Sequence, residues 1–196
     1  MNYKEITFLE KQLFGIDFSG GKDAAKKIWI TKARLRKKTI IIEEVYPIAK
    51  KQGNKDQLKN REDALKRLVN LLEEEKEIAI VGMDFPFSVN YNRKLKPSTW
   101  KAFVLKLATK YKNEDEFRAE LFKLYNNKEE KRNTDIIAKS PFSPINRRMY
   151  KQTYYGITQV IVPLLISKKF LFLPFHKYQD HKSCIIEICP ASFLKK

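Results

Sequence analysis

Gly15-Ile16-Asp17-Phe18 and Gly82-Met83-Asp84-Phe85 are two copies of one short phrase. Each closes an apolar run, Leu13–Phe18 and Ile78–Phe85, that reads as a buried strand. Residues two apart in a strand share a face, so each aspartate has a glycine beside it on its own face. An acid at the end of an apolar strand is costly to bury without a partner, and the missing glycine side chain leaves room for a ligand or ion. Two such ends point to a shared acidic centre. The other reading is that each aspartate caps the turn or helix that follows its strand; the repetition favours a site.

A third acid fits the same pattern. Glu187, in Cys184-Ile185-Ile186-Glu187-Ile188-Cys189-Pro190-Ala191, shares a strand face with Ile185 and Cys189 and is flanked by apolar residues, so it needs a partner. Asp17, Asp84 and Glu187, with Asp135 as a fourth candidate, could supply oxygen ligands to one or two Mg²⁺ or Mn²⁺ ions, which prefer carboxylates and water. Zinc signatures are absent, and His176 and His181 stand alone as ordinary loop residues. No Gly-x-Ser-x-Gly elbow is present to support serine hydrolase chemistry. Gly20-Gly21-Lys22 fails the P-loop pattern in its glycine spacing and in placing Asp23 where Ser or Thr is required. A tight turn explains these glycines; the second reading has the turn and Lys22 contacting phosphate.

Working outward, the first third reads as a three-stranded antiparallel meander. Its strands are Leu13–Phe18, Lys26–Lys32 and Thr39–Val45, separated by Ser19–Asp23 and the charged Arg34–Lys38. Leu65, Leu68, Val69 and Leu72 fall at helical spacing within Asn60–Glu75, with Asn60 placed to cap. From Pro97 the period is helical again. Trp100, Phe103, Val104, Leu107, Ala108 and Tyr111 form one apolar stripe, and Phe117, Leu121 and Leu124 a second after Asn113. That spacing makes these aromatics core rather than a base-stacking surface. Ser140-Pro141-Phe142-Ser143-Pro144 excludes a regular helix and is a candidate site wall. A helix follows from Asn146 to about Ser167, with a kink expected at Pro163, and the strands Phe170–Phe175 and Ser183–Ile188 come last.

Composition narrows the class. At 196 residues the chain suits one domain with a real core, read as 1–196 with a helical insertion at about 95–130. No apolar run approaches the ~20 residues that cross a bilayer, and no secretory leader is visible, so a soluble cytoplasmic protein without a membrane partner is expected. Cys184 and Cys189 point to opposite strand faces and are expected as reduced thiols. A formal net charge of +17 favours a polyanionic partner, nucleic acid above all.

Taken in order, Gly15-Ile16-Asp17, Gly82-Met83-Asp84-Phe85-Pro86, Arg132-Asn133-Thr134-Asp135, Thr153 with Gly156, and Ile186-Glu187-Ile188-Cys189-Pro190-Ala191 give the chain a pattern that resembles the DUF429 family of predicted nucleases. The resemblance implies an α/β, RNase H-like fold: a mixed five-stranded sheet, its first three strands antiparallel, flanked by helices, with the acids meeting at its centre. Relatives usually continue through another helix after Pro190-Ala191, so the chain is read as shortened at its C-terminus. The implied activity is phosphodiester hydrolysis by a two-metal mechanism, with Asp17, Asp84, Glu187 and Asp135 as catalytic metal ligands. Arg147 and Arg148 are candidates for holding phosphate, or else a solvated helix start, and Arg132 and Lys22 join them as substrate-binding candidates. Lys37, Lys38, Lys50 and Lys51 could track a backbone farther out. The alternatives are a nucleic-acid-binding or scaffold protein with a degenerate site, and a nucleotide-dependent phosphotransferase of the actin-like superfamily.

Overall fold

The computed structural model describes residues 11–50, 58, 60–91, 95 and 97–193. Lys51 of the expected backbone-tracking lysines lies outside them. One mixed sheet organises the chain. Its strands are β1 (Lys11–Asp17), β2 (Trp29–Arg36), β3 (Thr39–Pro47), β4 (Ala79–Met83), β5 (Phe170–Leu173) and β6 (Ser183–Glu187), in the spatial order β3-β2-β1-β4-β6-β5. The first three strands are antiparallel, as expected, and β4, β6 and β5 join β1 in parallel. The sheet therefore has six strands rather than five, because both late apolar runs pair into it and β6 inserts between β4 and β5.

Two local readings of the meander are corrected. Lys26 and Lys27 lie not in a strand but in a one-turn helix, α1 (Ala24–Lys27), whose Ala24 and Ala25 are buried. The charged Arg34-Leu35-Arg36 is not the connection but the end of β2; the hairpin turns on Lys37-Lys38, with Lys37 in the left-handed region at φ 53°. Arg34 can occupy a strand because Glu43 and Glu77 hold its guanidinium at 3.0 and 2.8 Å.

Helices pack on one face of the sheet. In α2 (Arg61–Glu74) the expected stripe Leu65, Leu68, Val69 and Leu72 is buried, and the Asn60 side chain accepts the Asp63 N–H at 2.9 Å. Thr99 and Asn113 cap α3 (Trp100–Lys110) and α4 (Glu114–Leu124) in the same way. A short α5 (Asn133–Ile137) precedes the proline-rich loop.

The next helix begins later than expected, at Tyr150, because Ser143–Met149 forms turns. It runs as α6 (Tyr150–Tyr155), a π-helical segment Gly156–Ile161 and α7 (Val162–Ser167). The wide segment lies directly before Pro163. Pro163 has no N–H and its ring would crowd the carbonyl four residues back, so the turn before it opens, with the Val162 N–H bonding the Ile157 carbonyl. The chain ends its described part in α8 (Pro190–Phe193).

Strand alternation and register sort the sheet into two faces. Phe14, Ile16, Val81, Met83 and Ile185 line the buried one against the helices, each at most 4% exposed. Leu13, Gly15, Asp17, Ile80, Gly82 and Asp84 line the other. Phe18 and Phe85, directly after the two aspartates, turn back into the core with ring centroids 4.4 Å apart. Gly156 closes that contact, since a Cβ there would run into the Phe85 ring. Gly156→Ala is therefore expected to destabilise the protein by roughly 1–3 kcal/mol in urea denaturation despite alanine's higher helix propensity. A variant as stable as the parent would show that the ring yields freely.

Candidate functional site

The register of β1 and β4 sets the geometry of the two acids. Gly15 pairs with Gly82 and Ile16 with Met83, and the Asp84 N–H continues the ladder to the Ile16 carbonyl at 3.1 Å. Asp17 and Asp84 are thus side by side at the carboxyl ends of adjacent parallel strands, on one face. Asp17 is exposed and Asp84 half-buried. Among the described residues, no hydrogen bond or ion pair is made by either carboxylate, so neither caps the segment that follows it. The consequence is electrostatic. Burial, and then the neighbouring charges of Asp17 and Glu187, push the Asp84 carboxyl up from 3.8 to about 6.

Glu187 and Asp135 are arranged differently. Glu187 is in register with Met83, on the opposite sheet face from the two aspartates, and the partner that its apolar setting requires is Arg132. The guanidinium donates to both Glu187 oxygens at 2.5 and 2.8 Å, and the Phe87 N–H adds a third bond at 2.9 Å. Arg132 also donates to both Asp135 oxygens, from Nη2 at 2.6 Å and Nε at 3.0 Å, and its own N–H reaches Oδ2 at 2.9 Å. Burial opposes the Arg132 charge, and the bonds from Glu187 and Asp135 outweigh it, so its pKa is raised. Asp135 is 5% exposed and Arg132 8%.

This triad ties α5 to the end of β6 and to the segment leaving β4, where Arg132 also reaches Ser88 at 3.3 Å. Trp100 Nε1 fixes the same segment through the Phe87 carbonyl at 2.9 Å. Glu187 and Asp135 thus hold the exit of β4 in place, with their oxygens engaged by Arg132. Arg132 itself is occupied rather than free for substrate. Among the described residues no group of three or more His, Cys, Asp or Glu side chains is placed to hold a metal ion.

The remaining candidates lie on the surface nearby. The loop after β1 packs on α6: Gln152 donates to the Phe18 carbonyl at 2.5 Å, and Gly20 abuts the Lys151 backbone too closely for any side chain. Lys22 is exposed in this loop, and Arg147 and Arg148 are exposed just upstream of α6. Arg148 also lies 5.3 Å from the Phe142 ring, in the proline-rich loop. Lys37, Lys38 and Lys50 are exposed at the ends of β3.

Strand pairing reveals one neighbour that the sequence did not single out. Trp29 stands opposite Asp17 on β2 and is 44% exposed, placed there by the antiparallel register alone. His176 lies in the loop after β5; its Nδ1 accepts the Phe172 N–H at 3.0 Å, and burial, then Lys101, lowers its pKa. Cys184 and Cys189 are free thiols. Among the described residues no helix is long and apolar enough to cross a membrane.

Comparison with known proteins finds no matching family model, no matching curated protein and no matching solved structure.

Two variants test this electrostatic picture. An acid whose pKa is raised by folding is penalised when ionised, so the Asp84 cost is absent below about pH 4, grows as pH rises from 3.8 to about 6, and is constant above. Asp84→Asn should therefore stabilise the fold at pH 7 by roughly 1 kcal/mol, discounted for solvent screening, and flatten that pH dependence. Equal stability of parent and variant at both pH 4 and pH 7 would contradict it. Arg132→Ala, which strands two carboxylates, should destabilise by about 3 kcal/mol or more in the same measurement; a loss below about 1 kcal/mol, the range of an exposed pair, would contradict the clamp.

Proposed function

We propose that the protein is a metal-dependent phosphodiester hydrolase of the RNase H-like, DUF429 kind, acting on nucleic acid. The observation that carries this reading is the pair of unpartnered carboxylates, Asp17 and Asp84, held side by side although burial, and then their repulsion, raises the pKa of one of them. A shared hard cation relieves that repulsion and suits an all-oxygen donor set, so the residues fit Mg²⁺ or Mn²⁺. Asp17 and Asp84 would hold such an ion, which would supply Lewis-acid polarisation of a phosphoryl oxygen and of an attacking water. In this arrangement Asp17 and Asp84 are the ligands and Glu187 contributes at longer range through its charge. Lys22, in the β1 exit loop, and Arg147 and Arg148, just upstream of the helix on which that loop packs, would hold phosphate oxygens. The net charge of +17 supports binding of a polyanion and its salt dependence.

A second reading, a nucleic-acid-binding protein with a degenerate site, is favoured by the Arg132 clamp, which engages two of the four acids that a two-ion centre would use. The two are separated by comparing the parent with Asp17→Asn on DNA, RNA and branched substrates, with Mn²⁺ and with chelator. Hydrolysis is expected only with metal, and Asp17→Asn should lose at least about 100-fold, since even partners of metal ligands cost that much. Binding without metal should survive in the variant and weaken steeply with salt. Metal-independent cleavage, or equal cleavage by Asp17→Asn, refutes the mechanism. Salt-sensitive binding with no cleavage of any substrate selects the second reading.

A further inference from the structure

The outer edge of β3 carries an inference independent of the catalytic reading. β3 ends the sheet, paired with β2 on one side, and among the described residues no strand pairs with its other side. Along it Ile40, Ile41 and Ile42 are 61%, 43% and 64% exposed, and Val45 56%. An unpaired edge presents a row of N–H and C=O groups that templates another strand, and stable monomers blunt such edges with inward charges, proline, bulges or a covering element. The protections of β3 all lie in its second half: the register break opposite Lys32 and Ala33, which leaves Glu43 extra, and Pro47 at the end. Thr39–Ile42 keeps a regular register with β2 and exposes three isoleucines over both faces.

We propose that this edge pairs with the same edge of a second copy, antiparallel and centred on Ile41. A two-fold axis perpendicular to the sheet brings a residue opposite itself, because strand alternation forbids a centre between residues. The choice is therefore among Ile40, Ile41, Ile42 and Glu43. Centring on Glu43 opposes two carboxylates at the register break, and centring on Ile42 sets Glu43 against Ile41. Centring on Ile40 sets Lys38 against Ile42. Centring on Ile41 opposes Ile40 to Ile42 twice within the regular segment and places the Lys37-Lys38 end of each copy beside the Glu43-Glu44 end of the other, where the register break ends strict pairing. Apolar pairs in the middle and opposite charges at both ends make the segment self-complementary. Because β1 runs parallel to β3, the pairing joins two six-stranded sheets into one and sets the two Asp17–Asp84 pairs at its opposite edges, facing the same side.

Sedimentation equilibrium of the full chain tests this. The parent is expected to be a monomer–dimer system, and Ile40→Lys/Ile42→Lys, at exposed positions, to raise the dissociation constant at least about tenfold with an unchanged circular dichroism spectrum. Lys37→Glu/Lys38→Glu and Glu44→Lys should each weaken the dimer, and the triple variant should recover affinity relative to either. A parent that stays monomeric at its highest soluble concentration overturns the proposal. So does a dimer indifferent to Ile40→Lys/Ile42→Lys, or charge variants whose effects add without recovery, which would place the interface elsewhere or in another register.

Discussion

Two carboxylates side by side without a counter-charge are an electrostatic cost that the fold must hold in place. The in-register parallel pairing of β1 and β4 imposes it: once Gly15 lies against Gly82, Asp17 and Asp84 follow as neighbours on one face. Hydrophobic burial supplies the restraint. Ile16 and Met83, just before the acids, and Phe18 and Phe85, just after, are all buried in the core, so neither strand end can swing outward to separate the charges. A folded state that keeps such repulsion when an amide would remove it marks a candidate functional site.

The Arg132 triad is the opposite solution to the same problem. Glu187 sits near enough to act on Asp84, yet it and Asp135 each have both oxygens satisfied by one guanidinium that is itself nearly buried. The planar fork of arginine allows two carboxylates to be served at once, which a lysine could not do with the same geometry. The triad fixes the segment after Asp84 through Phe87 and Ser88, so these acids serve the site by position. An arrangement of four equivalent acids thus separates into two unpartnered aspartates and two clamped carboxylates.

Much of this was legible in residue order alone. The period-two apolar runs ending in Gly-x-Asp placed Asp17 and Asp84 on strand ends, and the apolar flanks of Glu187 showed that it needed a partner. That partner, Arg132, lies 55 residues away in sequence, and only the packing of α5 on the end of β6 brings it there. The insertion of β6 between β4 and β5 was equally hidden, because sheet order depends on crossovers rather than on the composition of a strand. Lys26 and Lys27 looked like the start of a strand because their run leads into Ile28 and Ile30. Burial of Ala24 and Ala25 decides for one helical turn instead. The exposed isoleucines of β3 read as an ordinary strand, since a sequence does not say which strand is left at the edge.

The central claim is that Asp17 and Asp84 are coupled charges at one site, and the carboxyl titration of Asp84, followed by carbon NMR, tests it most directly. A midpoint of about 6 is expected in the parent, moved down towards the ordinary range in Asp17→Asn and again when Mg²⁺ is added. An Asp84 that titrates near 4 and ignores both changes would contradict it.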